Sequence, residues 1–175
     1  MRKVTFGGAI SLDNFLARSD HSFDWIMWCK EASAIMADYW KTIDTILMGR
    51  KTYEVSVRNS QGAGAFSGIA TYVFSKTLAP GFDRGVTVVE RDASEFVREL
   101  KAREGKDICL MGGGELARSL FEAKLIDEVG FNIHPLLLGS GIPVYHPMSR
   151  QIDLELLECK PFSNGCVYVY YRVKH

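Results

Sequence analysis

The chain has 175 residues, 47% of them apolar and 24% charged, which is the size and composition of one globular domain. Twenty-one basic residues balance twenty-one acidic ones, so the basic footprint of a nucleic-acid binder or a polybasic membrane-surface protein is missing. No apolar run approaches the ~20 residues of a membrane-spanning helix. Cys29, Cys109, Cys159 and Cys166 form no Cys-x-x-Cys pair, the usage expected of reduced thiols in the cytoplasm.

In chain order, VTFGGAISL (4–12) is a short apolar run bounded by Asp13-Asn14 and reads as a buried strand, not a signal peptide. Phe23, Ile26, Met27, Ala34, Ile35 and Tyr39 follow helical spacing, which predicts a helix from Ser22 to about Lys41. Its tryptophans, Trp25, Trp28 and Trp40, would pack in the core, with lining a cleft as the other reading for Trp25 or Trp28. TILMG (45–49) is a strand that opens a helix at GRKTYEVSV (49–57), and the Gly/Ser-rich 60–68 reads as a mobile loop. TYVFS (71–75) and VTVVE (86–90) are strands separated by a Pro80-Gly81 turn. Asp92 and Glu95 form a capping box for a helix over 93–103. ICLM runs into Gly112-Gly113-Gly114 and a helix to 125, and 126–135 is strand-like. Residues 136–147, with two glycines and two prolines, read as a loop. Two alternating runs flank Asn164-Gly165, the signature of a terminal hairpin. Strands alternating with helices and closed by a hairpin predict one α/β domain over 1–175, its sheet largely parallel with an antiparallel edge.

Three of these strands end in groups suited to phosphate: Gly49-Arg50-Lys51-Thr52, Ser75-Lys76-Thr77, and the glycine run at 112–114. In a parallel sheet such ends share the edge at which ligands bind. Glycines let backbone approach a pyrophosphate, and a helix N-terminus offers N–H donors with a favourable dipole. Each loop also has a plainer reading, as a tight turn or a solvated cationic pair. Together, with two of them cationic, they suit a dinucleotide carrying a separate extra phosphate, and NADPH is such a ligand.

The blocks SLDNFLA (11–17), ILMGRKTYE (46–54), YVFSKTL (72–78), ICLMGGGELARSLFEAKLIDEV (108–129) and HPLLLGSGIPVY (134–145) resemble the dihydrofolate reductase superfamily. Within it they are similar to the reductase domain at the C-terminus of the bifunctional riboflavin-biosynthesis deaminase/reductase, the RibD C-terminal domain. The resemblance spans essentially the whole chain. It implies a dihydrofolate reductase-like three-layer α/β/α fold whose mostly parallel mixed sheet has about eight strands. NADPH would be the hydride donor, with Gly49, Arg50, Lys51 and Thr52 at its phosphates and Ser75 and Lys76 near the adenosine 2′-phosphate. Gly112, Gly113, Gly114, Glu115 and Leu116 would line the pyrophosphate and nicotinamide side, and Ala9 and Leu16 would flank the nicotinamide. A homodimer would follow, with the tail CVYVYYRV as either its surface or an internal strand.

The implied substrate is 5-amino-6-(5-phosphoribosylamino)uracil, whose phosphate would call on Arg18 or Arg58. The alternatives are a dihydrofolate or pterin substrate, and a non-catalytic nucleotide-binding dimer. Reduction needs a proton as well as a hydride, and Asp13 is the first candidate donor, ahead of Glu115 and Glu31. An Asp at a strand end also commonly bonds nearby backbone. Asn14 stands where the family commonly has glycine. Ser33 falls at the position where dihydrofolate reductases carry a helix carboxylate, and no H-x-E with P-C-x-x-C deaminase signature occurs. His134 and His146, twelve positions apart with no third ligand, predict no metal site.

Overall fold

A computed structural model describes residues 1–59, 68–83 and 85–175. The stretch expected to be a mobile loop lies, apart from Gly68, outside the described residues. Alternation along the first strand, β1 (Val4–Ser11), sets the two faces of the sheet. Val4, Phe6 and Ile10 are buried on one side, which leaves Thr5, Gly7 and Ala9 for the other.

The remaining elements are β2 (Phe15–Ala17), α1 (Lys30–Thr42), β3 (Ile43–Gly49), α2 (Arg50–Asn59), β4 (Ala70–Phe74), β5 (Gly81–Asp83), β6 (Val86–Val89) and α3 (Ala93–Ala102). They continue as β7 (Asp107–Met111), α4 (Gly114–Glu122), β8 (Glu128–His134), β9 (Ile142–Pro143), β10 (Leu154–Pro161) and β11 (Val167–Val173). Nine strands form one sheet in the order β10-β11-β8-β1-β7-β3-β4-β6-β5. Its middle, from β8 to β6, is parallel, and both flanks are antiparallel. The architecture is the expected α/β one, with β5 an extra edge strand where only a turn was expected.

Phe6, Leu110, Leu120, Phe121, Ile126 and Phe131 build the core beneath α3 and α4. Ile43, Ile46, Met48, Tyr53, Val73 and Val86 build the smaller one on the side of α1 and α2. Each fully buried Leu, Ile or Phe among them contributes ~1.5–3 kcal/mol. Asp92 caps α3, accepting the backbone N–H groups of Ser94 and Glu95 at 2.9 and 3.0 Å.

Two local expectations change, and one of the two readings of the tail is borne out. The first helix begins at Lys30, capped by the Cys29 sulfur, not at Ser22. His21 has φ 68°, and the Met27 N–H donates to the His134 ring at 3.3 Å instead of to a helical carbonyl. Tertiary partners thus override a helical spacing that was real. Trp25 and Trp28 therefore lie ahead of the helix, Trp25 buried edge-on to His134 and Trp28 exposed. Within 136–147, Ile142 and Pro143 pair with β2 as a second small sheet. Gly141 permits this, since a Cβ there would lie 2.2 Å from the Ala17 carbonyl oxygen. Finally, β11 is internal, between β8 and β10, so β10 holds the outer edge.

Candidate active site

The parallel register brings the chemistry-bearing ends together. Met48 sits beside Met111, Gly49 beside Phe74, and Gly7 beside Met111. The loops after β3, β4 and β7 therefore open on one edge of adjacent strands. Gly112 and Gly113 both have left-handed backbones, with φ 60° and 66°. A Cβ on Gly112 would meet the Thr52 hydroxyl at 2.6 Å, so Thr52 of α2 packs directly over the glycine turn. Gly113 is the N-cap of α4 and no side chain caps that helix, leaving its first-turn N–H groups to a ligand or water. Gly114 is buried under the strap of residues 143–146, where a Cβ would lie 2.6 Å from His146 Cδ2. Its glycine is needed for packing.

The cations stand at the rim. Arg50 opens α2 and pairs with Glu54 at 3.7 Å, both half exposed. Lys51 and Lys76 are exposed. The Ser75 hydroxyl is buried and accepts the backbone N–H groups of Thr77 and Leu78 at 3.1 and 3.0 Å, which fixes the turn that presents Lys76. A groove of about 380 Å³ runs from there between the ends of β4 and β6 to the start of α3. Arg91 borders it, held by Glu99 and over the Phe96 ring at 5.8 Å. Glu115 is exposed in the first turn of α4. Leu116 and Leu16 pack against the larger core.

Next to this edge, a cleft of about 280 Å³ opens on the face of the sheet covered by α1, at the small end of ligand pockets. Its floor is Thr5, Gly7, Ala9, Met111, Gly130 and Asn132, from β1, β7 and β8. Gly7 and Gly130 are cross-strand neighbours. A Cβ on Gly7 would lie 2.2 Å from the Gly130 oxygen, and one on Gly130 2.8 Å from the Tyr170 ring. At these two positions the floor is bare backbone by necessity. One wall is a column of near-parallel rings, Phe162, Tyr168 and Tyr170, spaced 6.4 and 6.2 Å. Over the floor lies the face of α1 bearing Ala32, Ile35, Met36 and Tyr39, where Ala32 and Ile35 pack with Phe162, and Trp28 stands at the mouth. Among the described residues no acidic or basic side chain lines it.

Asp13 is not among the lining residues. Its carboxylate accepts the Ser11 hydroxyl at 2.6 Å and the Leu138 and Gly139 N–H groups at 3.1 and 2.8 Å. Those donors, Ser11 foremost, hold its pKa below the usual carboxylate range. It ties two loops together and is a poor proton donor. Asn14, in place of the family's glycine, has φ 65°, a left-handed conformation that asparagine tolerates. Glu31 accepts the Ser163 N–H, and Ser163 lowers its pKa to about 2. Ser33 is exposed and bonds the Cys29 carbonyl. Arg18 pairs with Asp24 at 2.8 Å, and Arg58 is exposed near the end of α2. Neither arginine lines the cleft.

The residues that sequence reasoning missed are Gly7, Gly130, Asn132, Tyr168 and Tyr170. Their signal is alternation: Thr5, Gly7 and Ala9, then Gly130 and Asn132, then Tyr168 and Tyr170 fall on every second position of β1, β8 and β11, between mostly apolar residues of the other face. Under the floor, His134 is fully buried. Its Nδ1 faces the Met27 N–H and the Cys166 thiol, both at 3.3 Å. Nδ1 is therefore the acceptor and Nε2 carries the single ring proton, consistent with burial lowering the pKa of His134. Nε2 lies 3.2 Å from the Asn132 amide, which must offer its oxygen there. The NH₂ then takes the amide's other position, a buried one with no partner. No three His, Cys, Asp or Glu side chains converge in a metal-holding cluster among the described residues.

The RibD C-terminal domain family model matches residues 2–168. The uncharacterized protein YwjB of Bacillus subtilis (strain 168) is 32% identical over 172 residues, covering 98% of each chain. The structure of a putative riboflavin biosynthesis protein from Shewanella sp. PV-4 superposes with TM-score 0.83 at 21% identity over 100% of each chain. Dihydrofolate reductase from Enterococcus faecalis, complexed with NADP(H), superposes with TM-score 0.68 at 17% identity, over 99% of this chain and 97% of that one. The fold is dihydrofolate reductase-like.

Proposed function

The chain belongs to the RibD C-terminal domain family, and from that premise we propose that it is an NADPH-dependent reductase of a small ring compound. The observation that carries this is the junction of an uncapped glycine-led helix start with an apolar cleft, at Met111 and Gly112. The site fits the cofactor: a Cβ would fill the cradle at Gly112, and cations flank it at Arg50, Lys51 and Lys76. When bound, NADPH supplies the hydride. Thr52 and the glycine turn would hold the pyrophosphate, Ala9 would border the nicotinamide, and Lys76 would meet the 2′-phosphate. The apolar walls exclude bulk water. With no carboxylate or imidazole lining the cleft among the described residues, the proton would come through a single water admitted at the mouth.

Phosphorylated uracil and folate substrates are less well served. Among the described residues the cleft has no cation for the first and no carboxylate on the face of α1 for the second. A second reading, a nucleotide-binding protein without chemistry, draws on the same missing acid. Four free thiols support a cytoplasmic setting, and exposed leucines on β10 support a homodimer through that edge.

Titration with NADPH and with NADH, by tryptophan fluorescence and calorimetry, tests the cofactor. NADPH should bind at micromolar concentrations and NADH much more weakly. Arg50→Ala and Lys76→Ala should each cost on the order of tenfold, the loss of one charge-assisted contact. Absence of binding by either nucleotide would overturn the reading. Binding of NADPH with no turnover of any carbonyl or imine would favour the second one.

A further inference from the structure

Resting on the reductase reading, we propose that the cleft takes an uncharged planar ring compound bearing a hydrogen-bond-accepting oxygen or nitrogen, and rejects phosphorylated and carboxylated ligands. Three observations carry it. First, none of the described lining residues is ionised. A charge brought into such a lining loses its hydration without a partner to replace it.

Second, the walls are flat. Phe162, Tyr168 and Tyr170 stand with interplanar angles of 9° and 15°, so one side of the cleft is a row of parallel rings. The Tyr170 hydroxyl donates to Glu128, which Lys3 also holds at 2.9 Å. That bond turns the hydroxyl toward the carboxylate and fixes the ring. Side chains of α1 close the cleft, Ala32 and Ile35 packing with Phe162 at one end, and a flat ring is the shape that such a narrow apolar slot admits.

Third, the floor carries one polar group with nothing to bond. The His134 tautomer orients Asn132 so that its NH₂ holds the unpartnered position. That atom has no exposed surface of its own, but an unsatisfied buried donor is costly, so a turn of the amide toward a ligand acceptor in the cleft is rewarded. The ligand chemistry follows: flat, neutral, and with an acceptor on its edge.

Chromone and chromone-2-carboxylate are a matched pair of the same ring without and with a charge. Calorimetric titration of the full chain should show chromone binding roughly tenfold or more tightly than its carboxylate. Ribose 5-phosphate should not displace it. Trp28→Ala, at a residue 68% exposed, should weaken chromone several-fold. Met36→Arg, also at an exposed lining position, should raise affinity for the carboxylate to parity or better. Equal wild-type affinities, displacement by ribose 5-phosphate, absence of chromone binding, or indifference to both substitutions would each overturn the assignment. NADPH binding is measured in parallel. Its loss with chromone behaving as expected sinks the reductase reading alone, and the converse sinks only the ligand class.

Discussion

At Gly7 a single hydrogen atom decides whether a cleft exists. Its cross-strand partner is Gly130, and a methyl group at Gly7 would lie 2.2 Å from that residue's backbone oxygen. Backbone on backbone has no rotamer to escape into. Gly7→Ala should therefore lower stability by ~1–3 kcal/mol, the usual cost of overpacking. Gly49→Ala, with nothing within 4 Å of its added carbon, should stay within about 0.5 kcal/mol. Urea denaturation of the two variants checks the contrast. Equal losses would mean that glycine flexibility, not close approach, sets the requirement. The same scale shows what sequence can miss. The glycine run at 112–114 is visible because three glycines precede a helical pattern. Gly7 and Gly130 are 123 positions apart in the chain, and only strand pairing makes them one feature. Asp13 was visible as a polar residue at a strand end, yet its partners, Leu138 and Gly139, come from the far loop.

Elements whose signals are local were legible, and those set by distant partners were not. The start of α3 could be read from Asp92, because a cap involves only the next three residues. The start of α1 could not, because His134 claims the Met27 N–H and stops the helix from extending backward. That helix is tied at its other flank as well: Glu31, in its first turn, accepts the Ser163 N–H at 3.1 Å from the turn joining β10 and β11. The contact has a pH signature. Ser163 lowers the Glu31 pKa from its ordinary 4.5 to about 2. Between those values the unfolded chain binds the proton and the folded chain does not, so folding stability rises with pH there. The contribution is fully present above pH 4.5 and is lost as pH falls through 2. In Glu31→Gln the fall of stability across this acid window should be shallower than in the parent chain, measured by denaturation at a series of pH values. An unchanged slope would show that the Ser163 bond exists without distinguishing the two protonation states.

For the whole molecule, the order of strands and helices was enough to predict a largely parallel sheet, since crossover connections demand it. What order alone left open was which strand lies at the edge. The tail, with its alternating tyrosines, had two readings, and the structure places it inside as β11, its Tyr168 and Tyr170 committed to the cleft. The outer edge falls to β10, an eight-residue strand with Leu154 and Leu156 exposed by 39% and 56%. Its charges are paired, Glu158 with Lys160 of the same strand at 2.5 Å and Glu155 with Arg172 of β11 at 3.0 Å. The bulge between Leu156 and Glu158 and the closing Lys160-Pro161 guard the far half of the strand, which leaves the stretch around Leu154 and Leu156 open to pairing. A second copy, related by a two-fold axis, would supply the missing strand and cover the same leucines from both sides. Light scattering after size-exclusion chromatography should then give twice the chain mass, and Leu156→Lys should give a monomer that retains NADPH binding, because the cofactor edge lies across the sheet from β10. A monomeric parent chain would end the dimer proposal. A Leu156→Lys protein that stays dimeric would move the interface away from β10.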